Sequence, residues 1–495
     1  MDSLKELIFY LSAQKIQHIR VVGEGVGDEN MSDELYRKIL DGSIENDEQA
    51  SEYFFKKNAQ YKPYRQLKGR IYRDLINKIY LIDLSGNNFT AFQRALWDIP
   101  KDLSVANMLT SRGIHHTASE IALKVLSKAR KYGFYKLMHE SAEILKNYYG
   151  TINKDKKLYN KYKSIYYDAY EKHLLDQKAT DSYIELLFFY SEKKNIESVQ
   201  QHALSLFEPL SDQLQTSDNP KFQFFTRLIR LAAHNAVFEH EKVKEITTRD
   251  IKYFLEHHSG YNTALNFLKI QKANACLRLG LIDEGLYTIQ SGLAFVKKSQ
   301  ANWFALKHLE FLLYMHDKQY QKALSIYQEV KSNRTKSMIP EYMKENWRIA
   351  QAYLELLKEA GKLEQDKQRR FRLNRFLNEV PISQKERKGA NLNVLTAKFL
   401  FLLIRERHDE LIDSREAWTV YCSRNFKHIE NGRGNLALKM LLKIPQCGFH
   451  AKRVEAHTKD MVKRLAQMPY GQIGKNYQQE VMKYEDVWEL AMSRL

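Results

Sequence analysis

The chain has 495 residues, of which 44% are hydrophobic and 28% charged, with 20 Gly, 8 Pro and a formal net charge of +18. That length suits about three ordinary domains or one elongated repeat array, and the apolar content excludes disorder along the whole chain. So few turn formers disfavour a sandwich or barrel of short strands, and helices become the expectation throughout.

In chain order, Met1-Asp2-Ser3-Leu4-Lys5-Glu6 puts acids where a secretory leader needs a basic stretch, and no small-residue cleavage site follows the apolar residues 7–11. Leu4, Leu7, Ile8 and Leu11 share one helical face. Gly23-Glu24-Gly25-Val26-Gly27 superficially resembles a phosphate-binding loop. It lacks the third glycine of the dinucleotide fingerprint, since Asp28 stands there, and the Lys-Ser/Thr of a P-loop. Asp28, Glu29 and Asp33 would also repel a phosphate, so a turn is the better reading. Short helices are predicted over 32–41 and 47–57, and a longer one over 62–84. At 100° per residue, Tyr64, Leu67, Ile71, Leu75 and Ile79 fall within roughly 120° of one another. Lys62, Arg65, Arg70 and Arg73 fall on the opposite side, so this helix packs on one face and presents cations on the other. Residues 1–90 are expected to form a small helical N-terminal domain with a basic-faced helix.

Over 110–365 amphipathic helical patterns alternate with short polar turns. The strongest internal similarity pairs Leu279-Gly280-Leu281-Ile282-Asp283-Glu284-Gly285-Leu286 with His316-Asp317-Lys318-Gln319-Tyr320-Gln321-Lys322-Ala323-Leu324. Each reads as a helix end, a tight turn and a second helix that begins with a small residue. Asn195-Ile196-Glu197-Ser198-Val199, reaching Ala203, is a weaker copy.

These residues resemble the tetratricopeptide repeat, a helix-turn-helix unit of about 34 residues. Gly280 matches the turn glycine, Ile282 and Tyr320 the hydrophobic turn position, and Gly285 and Ala323 the small residue where the two helices cross. Ile289 and Tyr327 match the large residue one turn later, and Gly292 and Val330 the next small position. Lys307 and Phe311 replace the family's first-helix tryptophan and glycine, and the match is clear over 261–361. The resemblance implies a right-handed α-solenoid of tetratricopeptide-like repeats, whose surface serves protein recognition.

Residues 366–391 read as a basic connector holding Lys367, Arg369, Arg370, Arg372, Arg375, Lys385, Arg387 and Lys388. Interleaved with Phe371 and Phe376, these cations suit phosphate and base contacts, an acidic protein, or a helix whose Phe and Leu are core and whose arginines are solvated. Helical patterns resume over 392–407, 410–421, 436–442, 451–466 and 481–495, a helical C-terminal region covering 392–495.

Cys276, Cys422 and Cys447 are odd in number and widely spaced, which predicts reduced thiols. The apolar run 399–404 is far below the roughly 20 residues that span a bilayer, so a cytoplasmic protein without membrane insertion is expected. Adjacent pairs His115-His116 and His257-His258 point different ways on a helix, and Cys447, His450 and His457 lack further ligands. No catalytic motif, cofactor site or metal site is predicted. The first functional expectation is a non-catalytic interaction, scaffold or regulatory subunit that binds a peptide, helix or subunit of another protein. The alternative is a nucleic-acid-associated regulator, with Lys62, Arg65, Arg70, Arg73 and the basic residues of 367–388 as candidate polyanion contacts. An enzyme with an unrecognised helical site is the third.

Overall fold

The computed structural model describes residues 1–13, 31–79, 91–191, 196–258, 260–333, 335–336, 339–364, 371–381, 388–425, 432–468 and 480–495. Among them all regular structure is helical, without a strand. The chain divides into two compact units, Met1–Tyr170 and Glu171–Leu495.

The first unit holds α1 (Asp2–Ala13), α2 (Met31–Leu40), α3 (Asp47–Phe55), α4 (Lys62–Ile79), α5 (Ala91–Ser111), α6 (His115–Tyr132), α7 (Tyr135–Asn147), a π-helical turn (Tyr148–Ile152) and the start of α8 (Lys156–Ser191). Leu4, Ile8 and Leu11 of α1 meet Leu35 and Ile39 of α2 and Tyr64, Leu67, Ile71 and Leu75 of α4 in one small core. The apolar stripe read from the 3.6-residue period is therefore buried as a stripe. A second core joins α5, α6, α7 and α8 through Ile99, Leu103, Val125, Leu145 and Tyr162.

The second unit continues α8 and adds α9 (Ile196–Thr216), α10 (Pro220–Ala236), α11 (His240–His257), α12 (Asn262–Leu279), α13 (Ile282–Leu293), α14 (Ala301–His316), α15 (Tyr320–Ser332), α16 (Glu341–Glu359), α17 (Leu373–Glu379), α18 (Lys388–Ile404), α19 (His408–Asn425), α20 (Arg433–Gln446), α21 (Ala451–Gln467) and α22 (Tyr484–Met492). Consecutive helices pack on one another, and α12 also meets α14, α14 meets α16, α16 meets α18 and α18 meets α20. These alternate helices are largely shielded from solvent, most fully in α14, where Trp303, Phe304, Leu306, Leu309 and Phe311 to Leu313 are all buried. The intervening helices, such as α13 and α15, bury only one face.

One local device recurs between these helices. At Phe238, Gly280, Lys318, Gly361, Glu406 and Gly448 the backbone enters the left-handed region, with φ between +57° and +73°. The next residue then returns its N–H five residues back: Leu281 to Cys276 O at 2.9 Å, Gln319 to Tyr314 O at 2.9 Å, Lys362 to Leu357 O at 2.9 Å, Arg407 to Leu402 O at 2.9 Å and Phe449 to Ile444 O at 3.1 Å. Glu239 does the same toward His234 O at 3.2 Å. This is the Schellman ending, which satisfies the last carbonyls of one helix and releases the chain in a fixed direction for the next. The positions lie roughly 40 residues apart, the length of a two-helix unit. Gly113 and Gly133 end α5 and α6 of the first unit in the same conformation.

Candidate interaction surfaces

Within the first unit, α4 is held from below by Asp47. That carboxylate accepts from the Met1 amino group at 3.0 Å, Tyr64 Oη at 2.5 Å and Lys68 Nζ at 2.8 Å. Against the upward push of partial burial, Lys68, Tyr64 and the amino group hold Asp47 down at about 2. Lys62, Arg65, Arg70 and Arg73 are all exposed, as the helical arithmetic predicts. The structure thus gathers these four sequence-named cations on one helix face.

The connector cations fare differently. Lys367, Arg369, Arg370, Lys385 and Arg387 lie outside the described residues, as does the side chain of Lys388, which opens α18. Arg372 is exposed just before α17, and Arg375 is exposed with Nε 2.8 Å from Glu379 Oε1. Phe371 stacks on Phe401 with ring centroids 5.0 Å apart, and Leu373 and Phe376 are buried. Of the two aromatics read as interleaved with arginines, Phe376 serves the core and Phe371 packs against it. Arg372 and Arg375 belong to the second unit, whereas the α4 cations belong to the first.

The glycine-rich residues 23–27 lie outside the described residues. His116 sits exposed at the start of α6, its Nδ1 3.2 Å from Tyr148 Oη. Cys276 is buried, and burial pushes its thiol up to about 11. Among the described residues no group of three or more His, Cys, Asp or Glu is placed to hold a metal ion. No described helix is long and apolar enough to cross a membrane.

What sequence reasoning missed is a set of buried ion pairs that pin neighbouring helices of the second unit. Asp250 of α11 is fully buried and receives Arg227 at 2.6 Å and Arg230 at 3.0 Å from α10. Lys307 of α14 lies 2.9 Å from both Glu310 and Glu329, the latter on α15. Arg405 grips Glu359 with two nitrogens, at 2.8 and 2.6 Å. Arg433 of α20 binds Glu480 at 2.8 Å, Glu485 at 2.6 Å and the carbonyls of Leu465 and Met468 at 2.8 Å each. Apart from Lys307 and Glu310, which are three residues apart on α14, the partners lie 20 to 52 residues apart in sequence, beyond any local motif.

The outer surface of the second unit carries large aromatics. α13 buries Gly285, Ile289 and Gly292 and turns Tyr287 the other way, 76% exposed; Tyr342 at the start of α16 is 54% exposed. A Cβ added at Gly285 would lie 2.9 Å from Leu313 and 3.3 Å from Cys276, which is why a small residue stands at this crossing. Between the α14–α15 turn and the residues after α16 lies an open pocket of about 810 Å³, lined by Lys318, Tyr320, Lys322, Gly361 and Lys362. Lys318 there is already bound to Asp486 at 2.9 Å and Glu489 at 3.0 Å. Compared with family models, curated proteins and solved structures, the chain matches none of them.

Proposed function

We propose that the hairpins of the second unit stack as a right-handed α-solenoid of tetratricopeptide-like units and that the chain is a non-catalytic interaction or scaffold protein, binding a peptide or helix of another protein. The recurring left-handed turn at roughly 40-residue intervals supports the repeat reading. The observation that carries the function is Tyr287. A tyrosine 76% exposed on a helix whose opposite face is locked against α12 and α14 is a rigid aromatic anchor, the residue type that dominates binding energy at protein interfaces. An ion pair between Lys272 of α12 and Glu284 of α13, 2.9 Å apart, helps keep Tyr287 in a fixed position, so little ordering cost accompanies binding.

The test is affinity capture from native lysate with the full chain and with Tyr287→Ala plus Tyr342→Ala. The full chain is expected to retain one protein in stoichiometric amount, and the variant to weaken that complex by roughly tenfold or more. A full chain that retains no stoichiometric protein, or a variant that binds as well as the original, overturns the proposal.

A further inference from the structure

The exposed face of α4 has four features that intramolecular packing does not account for. Asp74 is the only acid among its 18 residues, and its first turn holds none. Lys62, Arg65, Arg70 and Arg73 are exposed together with Gln66 and Asn77. None of these six side chains has a hydrogen-bond or ion-pair partner among the described residues. Acids are nevertheless abundant on the neighbouring elements, at Asp33, Glu34, Glu45, Glu48 and Glu52, yet among the described residues the pairing of α4 cations is confined to Lys68 with Asp47. α3 carries only acids and α4 is almost wholly cationic, while α2 balances Asp33 and Glu34 with Arg37 and Lys38.

Gly69 adds an independent observation. Glycine weakens a helix interior relative to alanine because it loses more backbone freedom on folding. Such a residue is usually repaid by close packing, as Gly285 is. A Cβ added at Gly69, however, would meet nothing within 4 Å. At 100° per residue Lys62, Gln66, Gly69, Arg70, Arg73 and Asn77 fall within roughly 100° of arc, so the bare backbone patch lies inside the cationic face. The missing side chain leaves the helix backbone open to close approach there.

We infer that this face binds duplex DNA, with α4 lying in the major groove. A protein partner would call for apolar or aromatic anchors at the centre of the face, and the centre here is cationic, amide and glycine, with the exposed Tyr72 to one side beside Arg65. Interfaces with DNA are more polar and more positive than those between proteins. The major groove of B-form DNA admits an α-helix, Arg reads guanine edges and Asn or Gln reads adenine edges, whereas the deep, narrow major groove of an RNA duplex excludes side chains. Lys62 and Arg65, beside the positive end of the helix dipole, suit phosphates. Gly69 lets the helix backbone approach the groove wall.

Fluorescence anisotropy of the full chain with a labelled mixed-sequence DNA duplex, an RNA duplex of equal length and single-stranded DNA tests this. DNA duplex is expected to bind tightest, with affinity falling steeply between about 50 and 200 mM salt. Replacing Lys62, Arg65, Arg70 and Arg73 by Gln should weaken it about tenfold or more and make the salt slope shallower by about 3 to 4. The same charge change at exposed Lys156, Lys157, Lys161 and Lys163 should leave most of the binding. Gly69→Leu should weaken binding while its circular dichroism stays helical. Hydrogen exchange of the unaltered chain, which no folding failure can confound, should show residues 62–79 protected by the duplex. No binding at low salt, preference for RNA or single strands, displacement by polyglutamate at equal charge, an undiminished quadruple variant, or unprotected residues 62–79 would each overturn the inference.

Discussion

Two buried residues expose how closely the second unit is fitted. At Gly285 the crossing leaves no room for a branched side chain beside Leu313 and Cys276, so Gly285→Val is expected to lower stability by about 1–3 kcal/mol through overpacking, read from the urea midpoint at unchanged slope. Arg433 is 1% exposed and carries the charge that balances Glu480. Arg433→Met should cost about 3–5 kcal/mol because it strands a buried carboxylate, while Arg433→Met with Glu480→Leu should recover much of that loss. A double variant no more stable than the single one would show that the pair is not coupled. The small residue at Gly285 is legible in the sequence because it belongs to a local, repeated pattern. The Arg433–Glu480 pair is not, since its members are 47 residues apart and each alone reads as a surface charge.

At the scale of elements, α4 is the most legible, because a single clean 3.6-residue period separates buried Tyr64, Leu67, Ile71 and Leu75 from exposed cations. The helix turns are legible only where glycine marks them, as at Gly280. Lys318 is found by its likeness to that copy, while Phe238 and Glu406 give no residue-level sign of a left-handed backbone. α17 is one of three readings of its basic segment, since the arginine-rich composition alone does not choose between a ligand surface and a helix with apolar residues in the core; buried Leu373 and Phe376 favour the latter. The non-glycine turns carry a local cost of about 1 kcal/mol. Glu406 is exposed and makes no described side-chain bond, so Glu406→Gly should raise stability by about that amount. Lys318→Gly should gain less or lose, because it also removes the contacts to Asp486 and Glu489. Equal gains from both substitutions, in chemical denaturation, would contradict this account.

For the molecule as a whole, pH sums what single groups contribute. Burial pushes His308 and His316 of α14 down to about 4, the former packed against Trp347 and the latter donating its Nε2–H to Glu480 O at 2.7 Å. Their folded values lie below the unfolded value near 6.5, so the unfolded chain binds more protons, and stability present above about pH 6.5 is lost as pH falls towards 4. Asp176 opposes this: burial raises it to about 6, so its protonation favours the fold as pH falls from 6 towards 4. Burial also pushes His240 of α11 down to about 4 and raises Glu480 and Asp486 as it does Asp176, so the histidines outweigh the carboxylates and a net loss of about 2 kcal/mol is expected between pH 7 and 5. Urea titrations of the second unit's unfolding that showed greater stability at pH 5 would reverse that ranking. The C-terminal residues matter at this scale too. Val481, Met482, Tyr484, Val487, Leu490 and Ala491 share the core that reaches back to Ala273. A chain ending before Glu480 should therefore unfold at lower denaturant than any of the single variants above, and with a smaller slope. The all-helical class was readable from composition; the continuity of this core was not, because it depends on which helices meet.

The recurring turn has a consequence for how such a chain can change over time. What it requires of each link is the sign of one dihedral angle and one hydrogen bond, conditions that Gly280, Lys318, Phe238 and Glu406 all meet. Spelling is thereby uncoupled from shape: successive units can lose every shared letter while the backbone keeps its punctuation, and their kinship is then recorded in torsion angles instead of residues.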